Sequence, residues 1–160
     1  MQRAAALIVE DGKLLVFERF RHTSQGPRHY LSIPGGAIEP HETPEQAVVR
    51  ELQEEMLITV KPLQMVATLH ASTTKWFHSS EHFFFVCTRV SGEPTFSKTS
   101  EEAQLGNGER FTPVWRSLDA LNQNPPLHPL YEPVVTALLD HLRAGTFPKE
   151  PLDIQADDLV

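Results

Sequence analysis

Three glutamates, Glu51, Glu54 and Glu55, follow Arg50 at relative spacings of three and four. On a helix these positions span an arc of about 100°, so the three carboxylates converge on one object at the surface. Local energetics oppose the grouping. Like charges at such spacings cost about 0.2–0.5 kcal/mol per pair, and carboxylates near a helix C-terminus cost roughly 0.3–1 kcal/mol each against the dipole. Arg50, four residues before Glu54, offsets part of this. A divalent cation is the simplest compensating partner, and clustered carboxylate oxygens suit a hard ion such as Mg²⁺ or Mn²⁺. A Glu-rich helix face is by itself an ordinary solvated face. Gly35-Gly36 shifts the balance, because side-chain-free backbone just upstream lets a carbonyl approach a metal or a phosphate closely, and Glu42 adds a further acceptor.

The elements that must hold these groups are well marked. Thr43-Pro44-Glu45-Gln46 supplies an N-cap, a proline at the first helical position and a Gln at N3, which together form a capping box. Val48, Val49, Leu52 and Met56 then form one apolar stripe. Upstream, Ala4–Val9 and Lys13–Phe17 flank Asp11-Gly12 and predict an opening hairpin. Residues 21–28 have loop composition, and His29–Ile33 predicts a third strand running into the glycine turn. Ile58–Val60, Leu63–Leu69 and Glu81–Val90 predict further strands, and residues 91–110 a long loop. Phe111–Trp115 predicts a short strand, with Pro113 favouring an edge or a bulge. Residues 129–143 follow helical spacing and stop at Gly145.

The composition fits one globular domain. With 160 residues, 40% hydrophobic and 22% charged, the chain can bury its own core. One domain is expected over residues 1–145, followed by an acidic, flexible tail at 146–160. The net charge of −7 argues against a nucleic-acid or anionic-membrane partner. That charge is local. Residues 39–55 hold six Glu and one Arg, residues 146–160 hold four acids and one Lys, and the rest of the chain is nearly neutral. The single cysteine, Cys87, lies in the run Phe83–Cys87 and reads as a small buried hydrophobe rather than a reactive thiol. Ala4–Val9 is too short for a secretory h-region, so the expected compartment is a reducing cytoplasm.

Gly36, five residues, Glu42, seven residues, then Arg50-Glu51-Leu52-Gln53-Glu54-Glu55 and Ile58 resembles the Nudix box, the signature of hydrolases that cleave nucleoside diphosphates linked to another moiety. Every charged position of the box matches. The resemblance implies an α/β (α+β) fold, an α/β/α sandwich whose mixed, mostly antiparallel sheet lies between the Nudix helix and the 129–143 helix. It implies a Mg²⁺-dependent hydrolase of a phosphoanhydride bond, with Mn²⁺ able to substitute. Glu51, Glu54, Glu55 and the Gly35 carbonyl would hold the metal, and Arg50 would orient the carboxylates. The partner is a small nucleotide-type substrate, and a homodimer is plausible by resemblance only. Leu57 stands where the family usually has glycine. A leucine enters the left-handed conformation at a cost of roughly 1–2 kcal/mol, so the helix exit is expected to change, for example by a further turn.

Many relatives in the family bring another carboxylate from a late loop. Glu102 is the first choice here, ahead of Glu101 and Glu109, with Glu81 an outside candidate. Arg19, Arg21 and Arg28 form the main basic cluster, and Arg19, Arg28 and Gly36 are expected to contact substrate phosphates. Trp76, Phe77, Tyr30 and Trp115 are candidates for stacking on a base, though packing is the commoner fate of such aromatics. The histidines, His70, His78 and His82 among them, lack metal-ligand spacing. Two rival functions remain: a non-catalytic nucleotide-binding module, and an isomerase of a diphosphate substrate, for which the apolar setting of Cys87 is poorly suited.

Overall fold

The computed structural model describes residues 1–72, 79–96 and 109–156. The elements in chain order are β1 (Gln2–Leu7), β2 (Val9–Glu10), β3 (Lys13–Thr23), β4 (Gly26–Ser32), β5 (Gly35–Ala37), α1 (Pro44–Met56), β6 (Thr59–Ala71), β7 (Ser80–Ser91), β8 (Arg110–Ser117), α2 (Glu132–Ala144) and β9 (Leu152–Ala156). They form a mixed α+β fold with two sheets. One runs β5-β1-β7-β6-β9, and in the other β3 pairs with β2 and β4 along one edge and with β8 along the other. The expected single sheet is therefore divided. No helix among the described residues is long and apolar enough to cross a membrane.

The opening hairpin survives only in part. Val9-Glu10 pairs with Lys13-Leu14 across the Asp11-Gly12 turn. β1 instead joins the other sheet, antiparallel to β5 and parallel to β7. Apolar alternation is the same whichever neighbour a strand finds, so local sequence does not choose between them. Arg21–Arg28, read as a loop, is mostly strand, because β3 continues to Thr23 and pairs with β4 from Gly26. The two stretches expected as separate strands at 58–60 and 63–69 are one strand, β6, whose register shifts absorb Pro62. Among the described residues β8 pairs only with β3, an edge position that tolerates Pro113. Within the acidic tail, Leu152–Ala156 lies parallel to Ala67–Ala71 as β9.

Alternation along β1 and β3 builds two cores. Ala4, Ala6, Ile8, Leu15 and Phe17 pack with Val48, Leu52 and Met56 of α1. Ala5, Leu7, Leu14 and Val16 pack with Val134, Val135, Leu138 and Leu142 of α2. Each helix thus covers one side of the sheets. α2 begins at Glu132, three residues later than the apolar spacing predicts, and Gly145 ends it at φ 67°. Cys87 is buried in the α1 core, and burial pushes its thiol up to about 12, which makes it a packing residue.

Candidate functional site

α1 starts where the sequence predicts. The Thr43 hydroxyl accepts from the Gln46 amide at 3.1 Å, and the Gln46 side chain accepts from the Thr43 amide at 2.9 Å. The exit differs from expectation. Leu57 adopts the left-handed conformation itself, φ 57° and ψ 33°, and its amide donates to the Gln53 carbonyl at 3.1 Å, so no further turn is added. The side chain is 50% exposed, and the missing glycine costs local strain without disturbing the core. α1 therefore ends where a glycine would end it, and its acidic face keeps its place.

Arg50 is the centre of that face. Its Nε donates to Glu42 Oε2 at 2.8 Å and its Nη2 to Glu42 Oε1 at 2.9 Å, a two-pronged pair. Nη1 donates to Glu51 at 3.0 Å and to Glu54 at 3.2 Å, and Nη2 also donates to the Ala37 carbonyl at 2.9 Å. One guanidinium thereby ties the loop before α1, the end of β5 and two of the three helix glutamates together. The Arg50 pair holds the Glu42 carboxyl below its ordinary range. Glu51 goes the other way: burial raises it, against the pull of Arg50 and of a hydrogen bond with Glu55.

Gly36 explains how Glu51 is seated. A Cβ at Gly36 would come within 2.5 Å of both Glu51 carboxylate oxygens, so only glycine lets this carboxylate lie against β5. Gly35 meets the same constraint from β1, since a side chain there would collide with the Ala4 carbonyl. Glu55 is buried at 5% exposure, and Glu54 is open to solvent. Among the described residues, no three His, Cys, Asp or Glu side chains are already grouped closely enough to hold a metal ion. Arg50 forms ion pairs with Glu42, Glu51 and Glu54. The donor set is all oxygen, the chemistry that suits a hard divalent cation.

Beside Glu55 lies a small, largely enclosed cavity of about 20 Å³, lined among others by Arg3, Arg19, Ser32, Phe111 and Tyr131. Arg19 lines it, with its guanidinium 4.3 Å from the centre of the Phe111 ring. Arg28 and Arg21 lie farther out on the same sheet, Arg28 donating to Gln25 at 3.3 Å and Arg21 to Glu109 at 3.2 Å. Glu109 is thus engaged by Arg21. Glu81 pairs with His70 at 3.2 Å and with Gln2, on strands away from the glutamate helix. Glu101, Glu102, Trp76, Phe77 and His78 lie outside the described residues. Tyr30 stands edge-on to His128, and Arg89 lies 5.7 Å over Trp115, so neither ring lines the cavity. Arg3, Ser32 and Tyr131 are not legible as site residues when β1 is read as a hairpin strand. One signal was present: Arg3 shares its face with Ala5 and Leu7, an odd place for a guanidinium on a core strand.

Comparison with known proteins places this arrangement. The family model described as NUDIX domain matches residues 1–138. An 8-oxo-dGTP diphosphatase of Escherichia coli K12 is 38% identical over 113 residues, covering 68% of this chain and 73% of the relative. A CTP pyrophosphohydrolase of the same organism is 39% identical over 64 residues, covering 40% of this chain and 46% of the relative. The solved structure of a NUDIX hydrolase from Nitrosomonas europaea superposes with a TM-score of 0.67 at 26% identity, covering 91% of this chain and 90% of that one.

Proposed function

This chain belongs to the NUDIX-domain family and is a Nudix-type hydrolase, and from that premise we propose that it hydrolyses a phosphoanhydride bond in a nucleoside diphosphate derivative with the help of Mg²⁺. The Arg50 network is the observation that carries the reading, because it gathers Glu42 from before α1 and Glu51 and Glu54 from α1 around one guanidinium, and the like charges of Glu51, Glu54 and Glu55 on one helix face are unfavourable without a cation. Glu51, Glu54 and Glu55, with the Gly35 carbonyl, are the groups that would hold the ion. A bound Mg²⁺ neutralises phosphate oxygens and lowers the pKa of nearby water.

The chain's own residues do the rest. Arg50 positions the carboxylates. Glu51, pinned against Gly36, is the fixed oxygen donor, and Glu54, open to solvent, is the mobile one. Water attacks phosphorus, the bond to the bridging oxygen breaks, and the phosphate ester leaves with the bonding pair. The proton passes to a carboxylate, for which Glu54 and Glu102 are the two candidates. Arg19, Arg28 and the backbone at Gly36 form the substrate-binding side. Relatives named for 8-oxo-dGTP and CTP support a nucleotide substrate and leave the base open.

A phosphate-release screen over nucleoside triphosphates, ADP-ribose, dinucleoside polyphosphates and nucleotide sugars, with and without Mg²⁺, tests this reading. Turnover of at least one class that vanishes on chelation is expected. Tight nucleotide binding with no turnover at millimolar Mg²⁺ would replace the hydrolase by a binding module.

A further inference from the structure

The turn that leads into α2 rests on one histidine. α2 starts after Tyr131 with no side-chain cap from that residue, and the first amides of a helix need acceptors from elsewhere. His128 supplies them. Its carbonyl accepts from the Tyr131 amide at 2.9 Å and from the Glu132 amide at 3.2 Å, and its ring Nδ1 accepts from the Leu130 amide at 3.0 Å. The same residue ties the turn to β4. The Leu31 amide donates to the Pro126 carbonyl at 2.8 Å and the His128 amide to the Leu31 carbonyl at 2.9 Å, while Leu127 pairs with Leu31 in parallel. Both attachments reach the cavity beside Glu55. Tyr131 lines it from the end of the turn, and Ser32, next to Leu31, lines it from β4.

The ring can do this in one form only. A backbone N–H always donates, so the Nδ1 that faces Leu130 carries no proton, and the neutral ring keeps its single proton on Nε2. An imidazolium would set Nδ1–H against N–H and leave the Leu130 amide without its acceptor. The surroundings favour the neutral ring. Burial pushes His128 below its ordinary value, and Arg19, Arg28 and Arg21 push it the same way. These arginines come from β3 and β4. From β4 and the start of α2 the ring also meets Tyr30 and Tyr131, at 5.1 and 6.1 Å between ring centres, and the Glu109 carboxylate is engaged by Arg21.

We propose that His128 is a positioning residue for the hydrolysis: its unprotonated Nδ1 seats the turn that sets Tyr131 and Ser32 at the cavity wall, and protonation of the ring at acid pH unseats them. This rests on the reading of the site as a nucleotide hydrolase. His128 acts through the backbone of Leu130 and does not itself line the cavity. The direction in pH follows from the lowered value. The neutral ring and the seated turn are fully present above about pH 6.5 and are lost as pH falls below it.

Asparagine is the informative substitution, because its side-chain oxygen accepts as Nδ1 does and takes up no proton. Near pH 7.5, His128→Asn is expected to keep kcat/KM within about threefold of wild type, whereas His128→Phe, which keeps a ring and loses the acceptor, falls by about tenfold or more. Toward about pH 5, wild type is expected to lose activity relative to His128→Asn by about twofold or more, a ratio from which the titration of other groups cancels. A Phe variant as active as wild type, an Asn variant as impaired as the Phe one, or parallel pH profiles for Asn and wild type would each overturn the proposal. The ring is also read without mutation or turnover. Ring-nitrogen NMR of the wild-type protein near pH 7.5 is expected to show His128 as the Nε2–H tautomer, with exchange of the Leu130 amide speeding up beyond its intrinsic pH dependence as the ring takes up a proton. An Nδ1–H tautomer would overturn the seating outright. Absence of turnover removes the hydrolase reading alone, and the tautomer and the Leu130 exchange then decide the seating.

Discussion

Arg50 donates to Glu42, Glu51, Glu54 and the Ala37 carbonyl at once, and Glu42 and Glu51 hold its guanidinium above its ordinary range. Such a fork cannot be replaced by lysine, whose single ammonium has no planar geometry to match a carboxylate two-pronged. His82 shows the opposite use of burial. It is 3% exposed, stacked on Phe84 and 2.9 Å from the Ser80 hydroxyl, and burial, helped by the charge of Arg3 and the N-terminus, pushes it down to about 4. The folded protein therefore keeps His82 neutral where the unfolded chain binds a proton. Its contribution is fully present above the unfolded value near 6.5 and is lost as pH falls from there toward 4. The loss reaches roughly 3 kcal/mol at the acid end. Urea unfolding of His82→Phe between pH 4 and 7 is expected to show a flatter dependence than wild type by about that amount. Parallel curves would mean that His82 charges freely in the folded state.

α1 carries both the clearest signal in the sequence and one of its misreadings. The Thr43–Gln46 capping box, Pro44 and the apolar stripe are local features, and the structure reproduces each of them. Leu57 was expected to alter the helix exit, for example by a further turn. It accepts the left-handed conformation instead, because the exit is fixed by the return of the chain into β6, with Ile58 fully buried one residue later. Leu57→Gly is expected to raise stability by about 1 kcal/mol, the relief of that conformation less the added freedom of the unfolded chain. A rise in Tm without change in the urea slope is the sign to look for, and a fall would show that Leu57 contributes packing. The strands were less legible than the helix for a physical reason. β1 finds its partners 30 and 80 residues away in β5 and β7, and nothing in Gln2–Leu7 distinguishes that from a hairpin with β3. Arg3 was missed for the same reason. It becomes a cavity residue only once β1 lies in the five-stranded sheet, whereas Arg19 was found because three arginines near a glycine turn already suggest an anion.

The molecule as a whole divides its charge between two places. The −7 of the chain lies mostly in the Glu-bearing segment 39–55 and in the tail, while Arg3 and Arg19 line the cavity beside Glu55. A cation on the acidic side would allow an anionic diphosphate to approach. The two cores that position these walls, one under each helix, draw on alternate residues of the same strands β1 and β3. The site is thus built where the sheets meet, from both of them. The decisive measurement is Mg²⁺-dependent turnover of the best substrate by Glu51→Gln, Glu54→Gln and Glu55→Gln, each checked for an intact fold by circular dichroism. The account expects kcat to fall by about a hundredfold or more in at least the Glu51 and Glu55 variants, the loss that follows from removing an oxygen donor to a catalytic metal. Folded variants that turn over as fast as wild type would contradict it.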